Sequence, residues 1–273
     1  MASLAKADFF IVGAQKAGTT ALHRYLSRHP EIQMPARKEL HHFDRDGLDW
    51  STANAERYNL NFEWTERSHK RGEATPIYFY WPHAMERLHA YNPNAKIIVG
   101  LRHPVFRAFS HWRMETARDA EVLTFEEATS SSGRQRVSSA PGGAHPVFSY
   151  IERGLYLPQF KGLFSLFPRE QAFIFRTDDL WLNTREVLSA LETFLGVSPY
   201  LAHAAATEYI VRRHSPSEEE IAPETLARLF ALYADDMKAT SDVAGVHLSD
   251  WLDLSYREPM IIPPTVTPTA EQP

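Results

Sequence analysis

Four consecutive apolar residues, Phe9-Phe10-Ile11-Val12, run directly into Gly13-Ala14-Gln15-Lys16-Ala17-Gly18-Thr19-Thr20, after which Leu22, Tyr25 and Leu26 recur at helical spacing until His29-Pro30 stops them. The order is buried strand, glycine-containing loop, helix. A continuous apolar run suits a strand covered on both faces, and a strand that feeds a helix through a short loop belongs to a parallel sheet with crossover helices. The pattern recurs. Beyond the turn cluster Asn92-Pro93-Asn94, Ile97-Ile98-Val99 reads as a second buried strand, and Pro104 suits the first position of a helix through Val105, Phe109 and Trp112. A third unit is Ala172-Phe173-Ile174-Phe175, then Leu180 and a periodic Val187, Leu188, Leu191, Phe194 and Leu195 closed by Gly196. Further helical patterns cover residues 85–91, 157–167 and 223–238.

This alternation predicts an α/β protein with a P-loop-like three-layer fold: a central, mainly parallel sheet flanked by helices, with ligand sites beyond the carboxyl ends of the strands. No internal repeat is present, and residues 1–262 read as one domain. The clusters Ser130-Ser131-Ser132-Gly133 and Pro141-Gly142-Gly143 mark residues 129–144 as a mobile surface loop, and the Pro- and Thr-rich residues 263–273 as a disordered tail.

Composition narrows the chemistry. The 273 residues contain no cysteine, which excludes disulfides, thiolate nucleophiles, cysteine zinc sites and iron–sulfur ligation and fits a reducing compartment. The apolar runs are far shorter than the ~20 residues of a membrane span, and Lys16 follows the first too closely for a signal peptide, so a cytoplasmic protein is expected. A net charge of −5 argues against nucleic acid as the main partner and toward a small-molecule or saccharide partner, with the chain a monomer or homodimer.

Between a strand and a helix, Gly13 to Thr20 has the setting of a phosphate cradle. Glycines let backbone N–H groups converge on phosphate oxygens, the helix N-terminus adds partial positive charge, Lys16 adds a full one, and Thr19 and Thr20 add hydroxyls. The usual P-loop places its lysine immediately after the second glycine. Here Thr19 holds that position, and Lys16 precedes Gly18 by two residues. A P-loop nucleotide kinase or hydrolase is therefore the alternative enzyme class, and a non-catalytic nucleotide-binding module the third. Thirteen histidines form no convincing helical metal pair, so no metal is expected.

Phe10 to Thr20 resembles the 5′-phosphosulfate loop of the sulfotransferases that use 3′-phosphoadenosine 5′-phosphosulfate (PAPS), in the form found in heparan sulfate and related carbohydrate enzymes. Leu101-Arg102-His103-Pro104 with Arg107, Ser110 and Trp112 is similar to that family's 3′-phosphate motif. Lys38-Glu39-Leu40-His41-His42-Phe43-Asp44 resembles the segment with its catalytic glutamate, and Arg212-Arg213-His214-Ser215-Pro216 its late nucleotide-wrapping loop. The four motifs stand in the family's order over residues 8–251. The resemblance implies sulfuryl transfer from PAPS to a hydroxyl without a metal. It implies a cofactor site of Gln15, Lys16, Ala17, Gly18, Thr19 and Thr20 at one end, Arg102 and Ser110 at the other, and Arg212, Arg213 and His214 around the nucleotide.

Such a reaction needs positive charge over the leaving phosphate, which Lys16 offers, and a base for the acceptor hydroxyl. The resemblance assigns the base to Glu39, and an extended backbone would put His41 on the same face, able to orient it. Glu73, in Gly72-Glu73-Ala74-Thr75-Pro76, is the second candidate. Ala74 departs from the heparan-type enzymes, which carry lysine there. Lys38, His42, Glu73 and Tyr78, the last within the aromatic run Ile77-Tyr78-Phe79-Tyr80-Trp81, are candidate acceptor contacts, and the missing lysine with the acidic balance favours a neutral or amphiphilic acceptor, a saccharide or small specialised metabolite.

Overall fold

A computed structural model describes residues 5–50, 55–64, 69–201 and 221–259. Five parallel strands form the sheet: β1 (Phe9–Gly13), β2 (Ile32–Gln33), β3 (Lys70–Ala74), β4 (Lys96–Leu101) and β5 (Ala172–Arg176), in the spatial order β2-β3-β1-β4-β5. Phe9 pairs with Gly72 on one side of β1 and with Lys96 on the other. The helices are α1 (Thr19–Leu26), α2 (Ala55–Asn59), α3 (Ala84–Tyr91), α4 (Pro104–Thr116), α5 (Phe125–Ala128), α6 (Ser131–Ser138), α7 (Tyr156–Leu166), α8 (Thr177–Leu182), α9 (Thr184–Leu195) and α10 (Pro223–Ala244).

The apolar run of β1 is continuous because both its faces are covered. Phe9 and Ile11 face a core with Leu22 and Leu26 of α1 and Leu188 and Leu191 of α9. Phe10 and Val12 face the larger core, with Leu88 of α3, Val105 of α4, Phe160 of α7 and Leu229 and Tyr233 of α10. Period-two alternation thus distributes one strand between two helical layers, as the sequence predicts. The chain leaves β1 toward β3 on one side and returns to β4 on the other. The crevice beyond their carboxyl ends is where this topology places ligands.

Two segments depart from expectation. Residues 129–144 are helical over Ser131–Ser138, where a loop was expected. The Ser130 hydroxyl accepts from Gly133 N–H at 3.1 Å, Arg136 pairs with Glu121 at 2.9 Å while lying over the Phe148 ring, and Val137 is buried. A serine-rich stretch is a poor helix former that a cap and tertiary contacts overrule. Strand β3 was not expected either, since Lys70-Arg71-Gly72-Glu73-Ala74 lacks apolar periodicity. It survives burial because its polar groups are satisfied: Arg71 donates to the carbonyls of Glu63 and His69, each at 2.8 Å, and Glu73 receives three hydroxyls. The tail expected over 263–273 lies outside the described residues.

Candidate active site

The loop after β1 turns through a left-handed Lys16 (φ 74°) and a left-handed Gly18 (φ 82°), the latter being the N-cap of α1. Glycine is the residue that reaches this conformation without strain. No side chain caps α1, so its first amides and its partial positive charge face the loop's interior. Strand β4 approaches closely: Ala14 N–H donates to Gly100 at 2.8 Å, and a Cβ on Gly100 would lie 2.8 Å from the Ala17 carbonyl oxygen. Ala17 and Thr19 are buried, Gln15, Lys16 and Gly18 half-buried, and Thr20 exposed. The Lys16 ammonium lies 3.4 Å from Met114 Sδ on α4, and the Gln15 side-chain oxygen accepts from the buried guanidinium of Arg153.

Arg102, just past β4, joins the two junctions. Its Nη1 donates to the Lys16 carbonyl at 3.1 Å, and its Nε and Nη2 grip the Glu258 carboxylate at 2.6 and 2.5 Å. Glu258 arrives on a C-terminal segment held in place by neighbours of the same junction. Tyr256 stacks on His103 at 5.0 Å and donates to Asp178 at 2.9 Å, Trp251 donates to Asp178 at 3.0 Å, and Arg176 bridges Asp178 and Asp250. The bidentate carboxylate is an anion standing where the 3′-phosphate is expected, so the geometry of Arg102 fits that group. Ser110 is half-buried two turns into α4.

The two candidate bases occupy opposite environments. Glu39 is partly exposed and contacts Lys38 Nζ at 2.9 Å and His41 Nε2 at 3.3 Å. Burial pushes its pKa up, but the hydrogen bonds and charges of His41 and Lys38 outweigh that and bring it down to about 2. His41 also donates to Asp44 at 2.7 Å; with Glu39 this outweighs burial and raises the imidazole to about 9. Glu39 is thus an ionised carboxylate held by an imidazolium. Their proximity comes from a turn rather than from the pleat expected: His41 has φ 52°.

Glu73 is 1% exposed. It accepts from Tyr58 at 2.6 Å, Thr75 at 2.5 Å and Tyr78 at 2.9 Å, and burial raises its pKa against these hydrogen bonds. Those hydroxyls reach onward. Thr75 Oγ1 accepts the Leu40 N–H at 3.1 Å, and Tyr78 Oη accepts the His42 N–H at 2.8 Å. Glu73 and Tyr78, expected to touch an acceptor, are instead sealed inside the protein, where they anchor the backbone that presents Glu39. The aromatic run divides accordingly, with Ile77, Tyr78 and Phe79 in the core and Tyr80 and Trp81 half-buried.

Lys38, expected as an acceptor contact, is engaged with Glu39. His42 packs between Tyr58 and Trp50, is held neutral by burial with a pKa of about 4, and borders a cavity of about 280 Å³ ringed by Arg37, Arg45 and Arg57. Arg212, Arg213 and His214 lie outside the described residues. Sequence reasoning missed Asp44, Glu258 and Arg153. Only Arg153 had a local signal, as a cation inside the otherwise mainly apolar stretch Tyr150-Ile151-Glu152-Arg153-Gly154-Leu155-Tyr156.

Comparison with known proteins places the chain by family and fold. The profile of the sulfotransferase domain family matches residues 6–215, a span that contains the loop, Glu39, Arg102 and Arg153 but ends before Glu258. Membrane-associated sulfotransferase kil1 of Dictyostelium discoideum is 26% identical over 291 residues, covering 78% of this chain and 61% of that protein. Mouse heparan sulfate glucosamine 3-O-sulfotransferase 3B1 is 30% identical over 190 residues, 68% of this chain and 45% of the relative. The crystal structure of a sulfotransferase from Alicyclobacillus acidocaldarius aligns with a TM-score of 0.75 at 29% identity, over 92% of this chain and 100% of that one. The chain therefore spans about half the length of the curated relatives, and among its described residues no helix is long and apolar enough to cross a membrane.

Proposed function

The chain belongs to the sulfotransferase domain family, and on that premise we propose that it transfers a sulfuryl group from PAPS to a hydroxyl of a saccharide or small specialised metabolite, with Glu39 as the base. The observation that carries this reading is the pair of anion seats at the carboxyl ends of adjacent strands, joined by the 3.1 Å contact from Arg102 to the Lys16 carbonyl. PAPS carries anionic groups at two separate places. When bound, it supplies an activated sulfuryl group whose bond to the 5′-phosphate breaks as the acceptor oxygen bonds to sulfur.

The protein's part is positioning and charge. Lys16, the α1 amides, Gln15, Ala17, Gly18, Thr19 and Thr20 hold the phosphosulfate end. Arg102, once released from Glu258, would hold the 3′-phosphate with Ser110, and Arg212, Arg213 and His214 are the further nucleotide contacts the resemblance implies. Glu39 accepts the acceptor's proton, and His41, fixed by Asp44, aims the carboxylate. Withdrawal of the Lys38 ammonium from Glu39 makes the carboxylate a better base, since that charge is part of what depresses its pKa. The catalytic unit is one domain through residue 262. Arg37, Arg45 and Arg57 around the cavity beside His42 suit an acceptor bearing an anionic substituent. The phosphoryl-transfer alternative gains no support from the family match.

Calorimetric titration tests the reading. Adenosine 3′,5′-bisphosphate should bind without metal and about 100-fold more tightly than ADP, the value of two charge-assisted hydrogen bonds to the 3′-phosphate. Selective binding of ATP with Mg²⁺ would overturn it.

A further inference from the structure

Arg153 sits in a single helical turn, Glu152–Gly154, ahead of α7, and is 2% exposed. Its hydrogen-bond partners are neutral oxygens: the Gln15 side-chain amide and the Pro146 carbonyl at 2.7 Å. Its Nε has no partner, and its guanidinium lies over the Tyr80 ring at 5.3 Å. Among the described residues no carboxylate lies within ion-pair distance of it. Arg102, also buried, is by contrast gripped by the Glu258 carboxylate, whereas the adjacent Arg107 donates to the Tyr150 carbonyl and likewise has no carboxylate at ion-pair distance among the described residues. A buried cation that lacks an anion is unfavourable, and such a group is retained where an anion is meant to arrive.

Its position identifies the anion. Gln15 belongs to the phosphate loop, so the guanidinium is one side chain away from that loop's backbone. Burial and the neighbouring Arg107 pull its pKa down to about 10 against the opposing charges of Tyr80, Glu115 and Glu39. Burial, with Arg153, Arg107 and Lys16, also keeps His111 neutral, and the Glu115 carboxylate, 3.6 Å from His111, faces these cations without reaching ion-pair distance of Arg153. A group in transit from donor to acceptor must pass the phosphate cradle, and Arg153 touches that cradle through Gln15.

We infer that Arg153 is a further catalytic residue whose guanidinium binds the sulfate oxygens of the donor, with Gln15 covering it until the donor arrives. The inference rests on the donor assignment above. Arg153 forms no covalent bond and gives up no proton; it stabilises charge on the transferring group. Because adenosine 3′,5′-bisphosphate lacks the sulfate, the wild-type preference for PAPS over that product should depend on this residue.

The experiment compares Arg153→Met and Arg153→Lys with wild type by calorimetry with both nucleotides, melting of the ligand-free protein, and turnover. The expected result is a tenfold or greater fall in the PAPS to bisphosphate affinity ratio in Arg153→Met, partly restored in Arg153→Lys. Bisphosphate affinity should hold and the melting temperature of the free protein should be unchanged or raised, since removing an uncompensated buried charge relieves strain. Equal loss of both affinities with a lower melting temperature in both variants would make Arg153 a structural brace and overturn the inference alone. Failure of the wild type to bind either nucleotide would sink the donor assignment and this inference with it.

Discussion

Glu39 and Glu73 are the same residue type, their segments are hydrogen-bonded together, and they end with opposite properties. Glu39 is ringed by charge, two cations and an imidazolium's second acidic partner, and its pKa falls to about 2. Glu73 is ringed by neutral hydroxyls in an apolar core, and burial raises its pKa. The difference shows that a carboxylate's task is set by what surrounds it: one presents charge to a crevice, the other organises the loop that does so.

The largest effect should separate them outright. Glu39→Gln is expected to reduce turnover by about 10²- to 10⁴-fold, the usual range for a general base, while nucleotide affinity stays at the wild-type value and the melting temperature falls only by the contribution of the Glu39 pairs with Lys38 and His41. Full activity in this variant would break the comparison at its first term. Glu73→Ala should do the reverse in kind. Leaving Tyr58, Thr75 and Tyr78 without their acceptor should cost about 2 to 4 kcal/mol of stability, read from denaturant unfolding, with turnover falling only as the Leu40 to Phe43 backbone loosens. A Glu73→Ala protein that melts normally yet is inactive would transfer the base assignment to Glu73.

A third carboxylate extends the test. Glu258 spends its charge on Arg102, so Glu258→Gln should tighten binding of adenosine 3′,5′-bisphosphate by about three- to tenfold, near 1 kcal/mol, because the nucleotide no longer displaces an anion. Weaker binding would mean that the C-terminal segment helps to form the nucleotide pocket. The smallest effect is in pH. Glu39, depressed from 4.5 to about 2, stabilises the fold above pH 4.5 and loses that contribution as pH falls toward 2; His41, raised from 6.5 to about 9, stabilises it below 6.5 and loses that as pH rises toward 9. The pair's contribution should be greatest between these limits, and the melting difference between wild type and the Glu39→Gln, His41→Gln double variant should follow it. Glu73 slopes the other way, its raised pKa favouring the folded state at acid pH. A pH-independent difference for the double variant would show that the ion pair does not form.

Much of this architecture was legible in the residues. The β1 loop, β4 with Arg102, β5 and the helices from Pro104 and Pro223 all follow from apolar periodicity and from glycine and proline placement, which act over a few residues. The polar strand β3 was not legible, because Arg71 and Glu73 lose their cost only when Glu63, His69, Tyr58 and Tyr78 come to meet them. Nor was the helix at Ser131–Ser138, which depends on Glu121 and Phe148 for partners of Arg136.

The order of the apolar strands and their following helices, with the glycine-containing turn between β1 and α1, was determined by the sequence alone, since near neighbours along the chain decide whether a strand, a turn or a helix forms. Which glutamate stays charged, which arginine is already neutralised and which waits for an anion were decided by the tertiary structure. Those outcomes depend on burial and on charges brought from distant segments, as Glu258 is brought to Arg102 across 156 residues, and electrostatic free energy is a function of distance in space and of solvent exclusion, not of separation along the chain.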